Sequence, residues 1–196
     1  MPSCCSLPVD PDELALPLPE GFARRLRELY GLAQSPQDLA EFVTLRWGSG
    51  RLPQAEWLVA PSPTRHEVVL GSRCLHVHCA LDALMYPLLV GQDAQVRSRC
   101  PECESAIEIT VHSRELVSWV PQGAVLWLGA SAEGGACCTS ELGSTKQYLC
   151  PFINLFDKPE HLEQWRAKND QVLGVPLTVS QAFALAKGLC HRGDTE

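Results

Sequence analysis

The segments AQVRSRC and SAIEITVH alternate apolar with polar residues on either side of Pro101-Glu102-Cys103-Glu104. A period of two buries one face of a strand and wets the other, so this stretch predicts an antiparallel hairpin with those four residues as its turn. HEVVLGSRCLHVHC, with β-branched residues around Gly71-Ser72, predicts a second hairpin. VSWVPQGAVLWLG and YLCPFINLF read as further strands, and GASAEGGACCTSELGSTK between them as a small-residue loop.

Helical spacing lies around these strands. Phe22, Leu26 and Leu29 share one face of a short helix that Gly31 would stop. Ser35 as cap and Pro36 at the first helical position predict a second helix running into LAEFVTLRW. CALDALMYPLLVG predicts a helix at least to Tyr86, which Pro87 kinks or ends and Gly91 closes. PEHLEQWRAKN puts Leu162 and Trp165 on one face, and LTVSQAFALAKGL predicts a closing helix capped by Ser180. The sum is an α+β fold of mostly antiparallel strands with flanking helices. Residues 1–18, interrupted by Pro2, Pro8, Pro11 and Pro17, are expected to form a flexible arm. Residues 19–66 then make a small helical unit and 67–196 the main domain.

Composition narrows the function. Sixteen basic against 23 acidic residues give a formal charge of −7, with no basic run to track a phosphate backbone, so no nucleic-acid partner is expected. The N-terminal residues lack a basic start and apolar core, which argues against a signal peptide, and no run approaches the roughly 18 apolar residues of a membrane helix. A soluble cytoplasmic protein without a membrane partner is expected. The ten cysteines are then reduced, and serve as buried apolar residues, metal ligands or nucleophiles.

Cys79-Ala80-Leu81-Asp82 is the sharpest local feature. Residues three apart on a helix share a face, so a thiol and a carboxyl can address one small volume, and a helix N-terminus favours thiolate. The bland reading makes Asp82 a first-turn helix residue. Cys74, His76 and His78 would form a metal-binding stripe if all three lay on one strand, although partly exposed polar residues are the plainer expectation. Cys100-Pro101-Glu102-Cys103 has the form of a zinc knuckle, which normally needs a second pair; Cys137-Cys138 would supply it or pass metal to another site. Structural cysteines without zinc are preferred. Cys4-Cys5 and Cys190 are expected to be incidental exposed thiols, and Tyr148 and Phe152 to be pocket wall.

The stretch HCALDALMYPLLVGQDAQVRSRCPECESAIEITV, followed by YLCPFINLFDKPEHLEQWRAKN and VPLTVSQAFALAKG, resembles the organomercurial (alkylmercury) lyase family over roughly residues 70 to 188. The Cys-Ala-Leu-Asp helix, the later cysteine segment and the Trp-containing helix occur in the family's order. The resemblance implies two essential cysteines at Cys79 and Cys150 and an essential aspartate at Asp82. It gives Cys100 a structural role and makes residues 19–66 a reduced winged-helix-like unit over the site.

That family's chemistry needs these residue types. Mercury(II) is soft and prefers thiolate sulfur, so Cys79 would make the initial capture or share it with Cys150, the order being left open, and both would then hold the ion. A second thiolate adds electron density at mercury and weakens the bond to carbon, and Asp82 would carry the proton to the departing carbon. Asp82 then needs a raised pKa, for which an apolar setting of Leu81, Met85 and Phe152 is expected. The resemblance implies carbon-mercury protonolysis with no organic cofactor, free thiols for turnover, and a thiol acceptor such as a mercuric reductase. The competing reading is a thiol-rich metal-binding or sensing protein of the same fold, which would not need Asp82.

Overall fold

The computed structural model describes residues 11–49, 53–134 and 141–191. Along the main body, β1 (His66–Leu70) and β2 (Arg73–His76) form the first hairpin, and β3 (Ala94–Arg99) and β4 (Ala106–His112) the second; β5 is Glu115–Val120. All five pair antiparallel in one sheet, ordered β2-β1-β3-β4-β5. The register puts Val68, Val96 and Ile109 in one row across the sheet, and all three are fully buried. Period two thus sends a continuous apolar row to one face.

A second sheet of three strands has β6 (Val125–Ser131) at its centre, between β7 (Asn154–Phe156) and β8 (Val172–Thr178), both antiparallel to it. VSWVPQGAVLWLG is therefore two strands in two sheets. Pro121, which has no N–H for a ladder, ends the first, and the chain turns so that Ala124 N–H donates to the Pro121 carbonyl at 3.0 Å.

Helix α4 (Ala80–Val90) packs on β1 and β3 and against α7 (Val179–Cys190). Pro87 lies inside α4 without ending it, and Gly91 closes it at φ 65°, in the left-handed region that favours glycine. Helix α6 (Pro159–Lys168) covers β6 and β7. The N-terminal helices α1 (Glu20–Tyr30), α2 (Leu39–Gly48) and the single turn α3 (Ala55–Leu58) pack into the same apolar core: α1 touches β6 and β8, α2 touches α7, and α3 touches α4.

Several local expectations are corrected. Residues 11–18 are not a free arm: Pro11–Leu14 form a 3-10 turn, Leu14 and Leu18 are buried, and Leu18 N–H donates to the Gln37 carbonyl at 2.8 Å. That bond and the Pro17–Asp38 bridge hold Asp38 extended, so α2 starts later than Ser35 predicts. Its cap is Asp38, whose carboxylate accepts from Glu41 N–H at 2.8 Å. Likewise β8 runs to Thr178, which caps α7 in place of Ser180: Gln181 N–H donates to Thr178 Oγ1, and Thr178 N–H to Gln181 Oε1, a capping box.

The predicted small-residue loop overlaps β6 at its start and helix α5 (Glu141–Tyr148) at its end, and residues 135–140 within it lie outside the described residues. YLCPFINLF is a strand only at its end, because Cys150–Phe152 form a 3-10 turn. Cys4, Cys5, Cys137 and Cys138 lie outside the described residues.

Candidate active site

Cys79 sits at the N-cap of α4 with extended backbone (φ −149°), and its Sγ accepts the Asp82 backbone N–H at 3.4 Å. Sulfur thereby does what an oxygen cap does elsewhere, meeting one of the donors a helix start leaves unpaired. The segment leading in is pinned from two sides: Val77 N–H donates to the His66 carbonyl and His78 N–H to the Leu58 carbonyl, each at 3.1 Å.

Cys150 comes from 68 residues further along. The 3-10 turn that holds it is closed by Phe152 N–H to the Leu149 carbonyl at 2.8 Å, and Asn154 Nδ2 donates to the Pro151 carbonyl at 3.0 Å. One hydrogen bond ties this turn to α4: Ala80 N–H donates to the Ile153 carbonyl at 3.1 Å. From the other side the turn rests on β6 at Gly129, where a Cβ would lie 2.7 Å from the Phe152 carbonyl oxygen. Gly174, opposite Gly129 across β6 and β8, is equally cramped, with a Cβ 2.8 Å from Gly129 Cα. Absence of a side chain at Gly129 lets the Cys150 turn approach the sheet, and its absence at Gly174 lets β8 lie close against β6 and the Trp127 indole.

The outcome is a three-residue cluster. Cys150 Sγ–H donates to Asp82 Oδ2 at 3.9 Å, and the two sulfurs and a carboxylate oxygen of Asp82 all lie within 4.8 Å of one another. Cys79 is 1% exposed and Asp82 9%, whereas Cys150 is half-buried. Burial pushes the Asp82 carboxyl up to about 7, against hydrogen bonds from Cys79 and Cys150 and the charge of Lys146 on α5, which lower it. Leu81 and Met85 beside it are buried, and Phe152 is half-buried.

Burial also raises the Cys79 thiol well above its ordinary value, reinforced by Cys150 and by the negative charge of Asp82; the Asp82 N–H works the other way. The expected thiolate-favouring effect of the helix start is overturned here. Desolvation beside a carboxylate outweighs one backbone donor.

Sequence reasoning missed Tyr30 and Arg46. Tyr30, at the end of α1, is close enough for Cys150, Cys79 and Asp82 to raise its hydroxyl further after burial has done so, while Arg46 of α2 lowers it. The Arg46 guanidinium lies 4.5 Å over the Tyr30 ring. No local signal marks these residues, since Tyr30 reaches the cluster, and Arg46 reaches Tyr30, only through the packing of α1 and α2.

Other candidates stand apart. The Cys74, His76 and His78 stripe does not form: β2 ends at His76, His76 Nδ1 accepts from Thr64 N–H at 3.3 Å, and Cys74 reaches Glu67. Cys190 is buried in α7, its thiol pushed up to about 12 by burial, with Sγ directed at the Met85 carbonyl. Tyr148, at the end of α5, carries the Arg25 guanidinium 5.3 Å over its ring. Cys100 and Cys103 belong to a separate cluster with Asp157 and His161.

Residues 59–191 match the family model for alkylmercury lyase, MerB. Among curated proteins, the alkylmercury lyase of Staphylococcus epidermidis is 27% identical over 130 residues, 66% of this chain and 56% of that protein. That of Pseudomonas putida is 28% identical over 130 residues, again 66% and 56%. That of Bacillus cereus is 26% identical over 125 residues, 64% of this chain and 53% of the relative, so the chain spans about half the length of the curated relatives it matches. Among solved structures, the mercury-bound form of MerB2 superimposes with a TM-score of 0.54 at 25% identity, covering 66% of this chain and 59% of that one. With two thirds of its length inside the family's conserved region, and with that fold, the chain belongs to the alkylmercury lyase family.

Proposed function

We propose that this chain is an organomercurial lyase, cleaving a carbon-mercury bond by protonation at carbon to give a hydrocarbon and mercury(II). The observation that carries this reading is the convergence of two thiols and one carboxyl, with ligand atoms within 4.8 Å, at a buried helix start. Family membership supports it.

Cys150, the more exposed thiol, takes the organomercury ion from its carrier thiol; the Cys150 proton passes by way of Asp82 to the departing carrier. Cys79 then adds to the same mercury and gives its proton to the Asp82 carboxylate. Asp82 delivers that proton to carbon as the mercury-carbon bond breaks. Hydrocarbon leaves, mercury(II) stays on two thiolates, and Asp82 is again a carboxylate, so protons and charge balance. A carboxyl that titrates at about 7 can both accept and donate at neutral pH, the condition for efficient general acid-base work. Soft sulfur ligands supply the selectivity for mercury.

The same reading assigns residues 19–66 as a cover over the site, supported by the interaction of Tyr30 with all three reactive groups. Turnover requires small thiols, or a dithiol protein such as a mercuric reductase, to remove the product ion, and a cytoplasmic setting would supply both. No helix of the described residues is long and apolar enough to cross a membrane.

The decisive experiment incubates purified protein with phenylmercury or methylmercury and excess thiol and measures benzene or methane. Catalytic release of hydrocarbon is expected. Tight mercury retention with no hydrocarbon would replace this reading by that of a metal-binding protein.

A further inference from the structure

A second cluster of metal-ligand side chains forms where the tip of the β3–β4 hairpin meets the start of α6. Cys100 directly follows β3, Cys103 lies in the turn, Asp157 directly follows β7, and His161 is in the first turn of α6. One ligand atom from each lies within 4.8 Å of all the others. Cys100 Sγ is 3.8 Å from His161 Nδ1, and Cys103 Sγ is 3.5 Å from Asp157 Oδ2. Tetrahedral zinc with bonds of about 2.3 Å to sulfur and about 2.0 Å to nitrogen or oxygen separates its ligands by roughly 3.3–3.8 Å. Both sulfur contacts are already near that spacing. His161 Nδ1 and Asp157 Oδ1 are hydrogen-bonded at 2.5 Å, so both already face the point where a cation would sit.

The backbone is shaped for the same purpose. Glu104 N–H donates to the Cys100 carbonyl and Cys100 N–H to the Ser105 carbonyl, each at 3.0 Å, with Glu104 at φ 58°. This tight turn directs the N–H groups of Glu102 and Cys103, together with that of Asp157, toward the Cys100 sulfur. Burial raises the Cys100 thiol, and these three donors work the other way. The two halves of the cluster are also braced from outside, since Lys168 at the end of α6 pairs with Glu102 at 2.5 Å.

We propose that Cys100, Cys103, Asp157 and His161 bind one zinc(II) ion that fastens the hairpin of the five-stranded sheet to α6 and the edge of the three-stranded sheet. Four protein ligands leave no open coordination position, which makes the ion structural. Binding releases the protons of both thiols and uses His161 neutral and Asp157 ionised. Cys137-Cys138 are not required, because the second pair of ligands comes from the segment between β7 and α6. This site is independent of Cys79, Asp82 and Cys150 and of the reaction proposed for them.

The test is elemental analysis of the full chain purified without chelator, alongside a Cys103→Ser/His161→Ala variant and a Cys79→Ser/Cys150→Ser variant. About one zinc per chain is expected in the wild type and in the Cys79/Cys150 variant, with at least a tenfold loss in the Cys103/His161 variant. Should the latter fail to fold, cobalt(II) titration of the Cys79/Cys150 variant keeps the question open to measurement: a sulfur-to-cobalt charge-transfer band, abolished by zinc, is expected. Wild-type protein that stays below about 0.1 zinc per chain after dialysis against excess zinc overturns the proposal, as does zinc that disappears with Cys79 and Cys150 instead.

Discussion

The Cys150 thiol lies 3.9 Å from Asp82 Oδ2, and the same Asp82 donates its backbone N–H to the other thiol, Cys79, at 3.4 Å. One residue thus touches both sulfurs through different groups, its side chain reaching Cys150 and its backbone Cys79; on the proposed mechanism the side chain carries the proton. Asp82→Asn keeps the backbone donor and removes the acid. Mercury binding should persist at one ion per chain, while hydrocarbon release falls by about 10²–10⁴-fold. Equilibrium dialysis with mercury(II), together with gas chromatography of the hydrocarbon, separates the two effects; hydrocarbon release at the wild-type rate would remove Asp82 from the chemistry.

Burial of Asp82 also predicts a stability signature. Its pKa rises from 3.8 to about 7 on folding, so between those values the folded chain holds a proton that the unfolded chain has lost. Stability from this group is therefore complete below pH 3.8 and is lost as pH rises through 7. Buried His66 works the opposite way: burial lowers its pKa from 6.5 to about 3, so its contribution is present above 6.5 and lost as pH falls. Comparing wild type with Asp82→Asn cancels His66 and isolates Asp82. Relative to wild type, the variant should gain stability on the order of a few kcal/mol between pH 4 and pH 8. Urea unfolding at a series of pH values measures it, and a difference that does not change with pH refutes the assignment.

Cys79 and Asp82 were visible in the sequence as a pair because their relation is local, three residues on one helix. Cys150 is 68 residues from Asp82, and neither spacing nor periodicity connects them; only the family resemblance named it. Its setting was misread as strand, since apolar YLCPFINLF does not reveal that Cys150–Phe152 turn before β7 begins. Both hairpins were legible because alternation and turn residues are short-range signals. Helix starts were less so: Ser35 and Ser180 are plausible caps, but the Pro17–Asp38 bridge and the length of β8 fix the starts at Asp38 and Thr178. Tyr30 and Arg46 could not be read at all, because only the tertiary packing of α1 and α2 brings Tyr30 near the cluster and Arg46 onto Tyr30.

The capping assignments are testable by pairs of substitutions. Thr178→Ala removes the acceptor for Gln181 N–H and should cost about 1 kcal/mol, whereas Ser180→Ala should be neutral within a few tenths. Asp38→Ala against Ser35→Ala should behave in the same way at α2. Chemical denaturation of the four variants checks this, and equal losses within either pair would contradict the observed caps.

Gly129 predicts a coupling between sheet and site. A methyl group there would stand 2.7 Å from the Phe152 carbonyl oxygen and would also strike the Trp127 indole, so the 3-10 turn carrying Cys150 must move away from β6. Gly129→Ala should cost about 1–3 kcal/mol through overpacking and weaken two-thiol capture of mercury. Gly123→Ala, whose nearest neighbour would be the Asp157 carbonyl at 3.8 Å, is the matched control and should leave capture unchanged. Thermal unfolding and mercury competition with a dithiol measure the two consequences; unaltered capture in Gly129→Ala would show that β6 does not position Cys150.

On the proposed mechanism, the unequal exposure of the two thiols predicts the order in which they meet substrate. Cys150 is half-buried and already directed at its proton acceptor, whereas Cys79 is 1% exposed with its thiol pushed up by burial beside Asp82. The thiolate is the form that attacks mercury, and formation of the Cys79 thiolate is opposed until a cation arrives to offset its charge. Cys150→Ser should therefore slow the first binding of phenylmercury by at least about tenfold, in step with the loss of the accessible thiol. Cys79→Ser should bind phenylmercury at nearly the wild-type rate yet release no benzene, holding the substrate on one sulfur. Stopped-flow mixing with a thiol-reactive mercurial chromophore distinguishes the variants, and slower capture in Cys79→Ser than in Cys150→Ser would reverse the order.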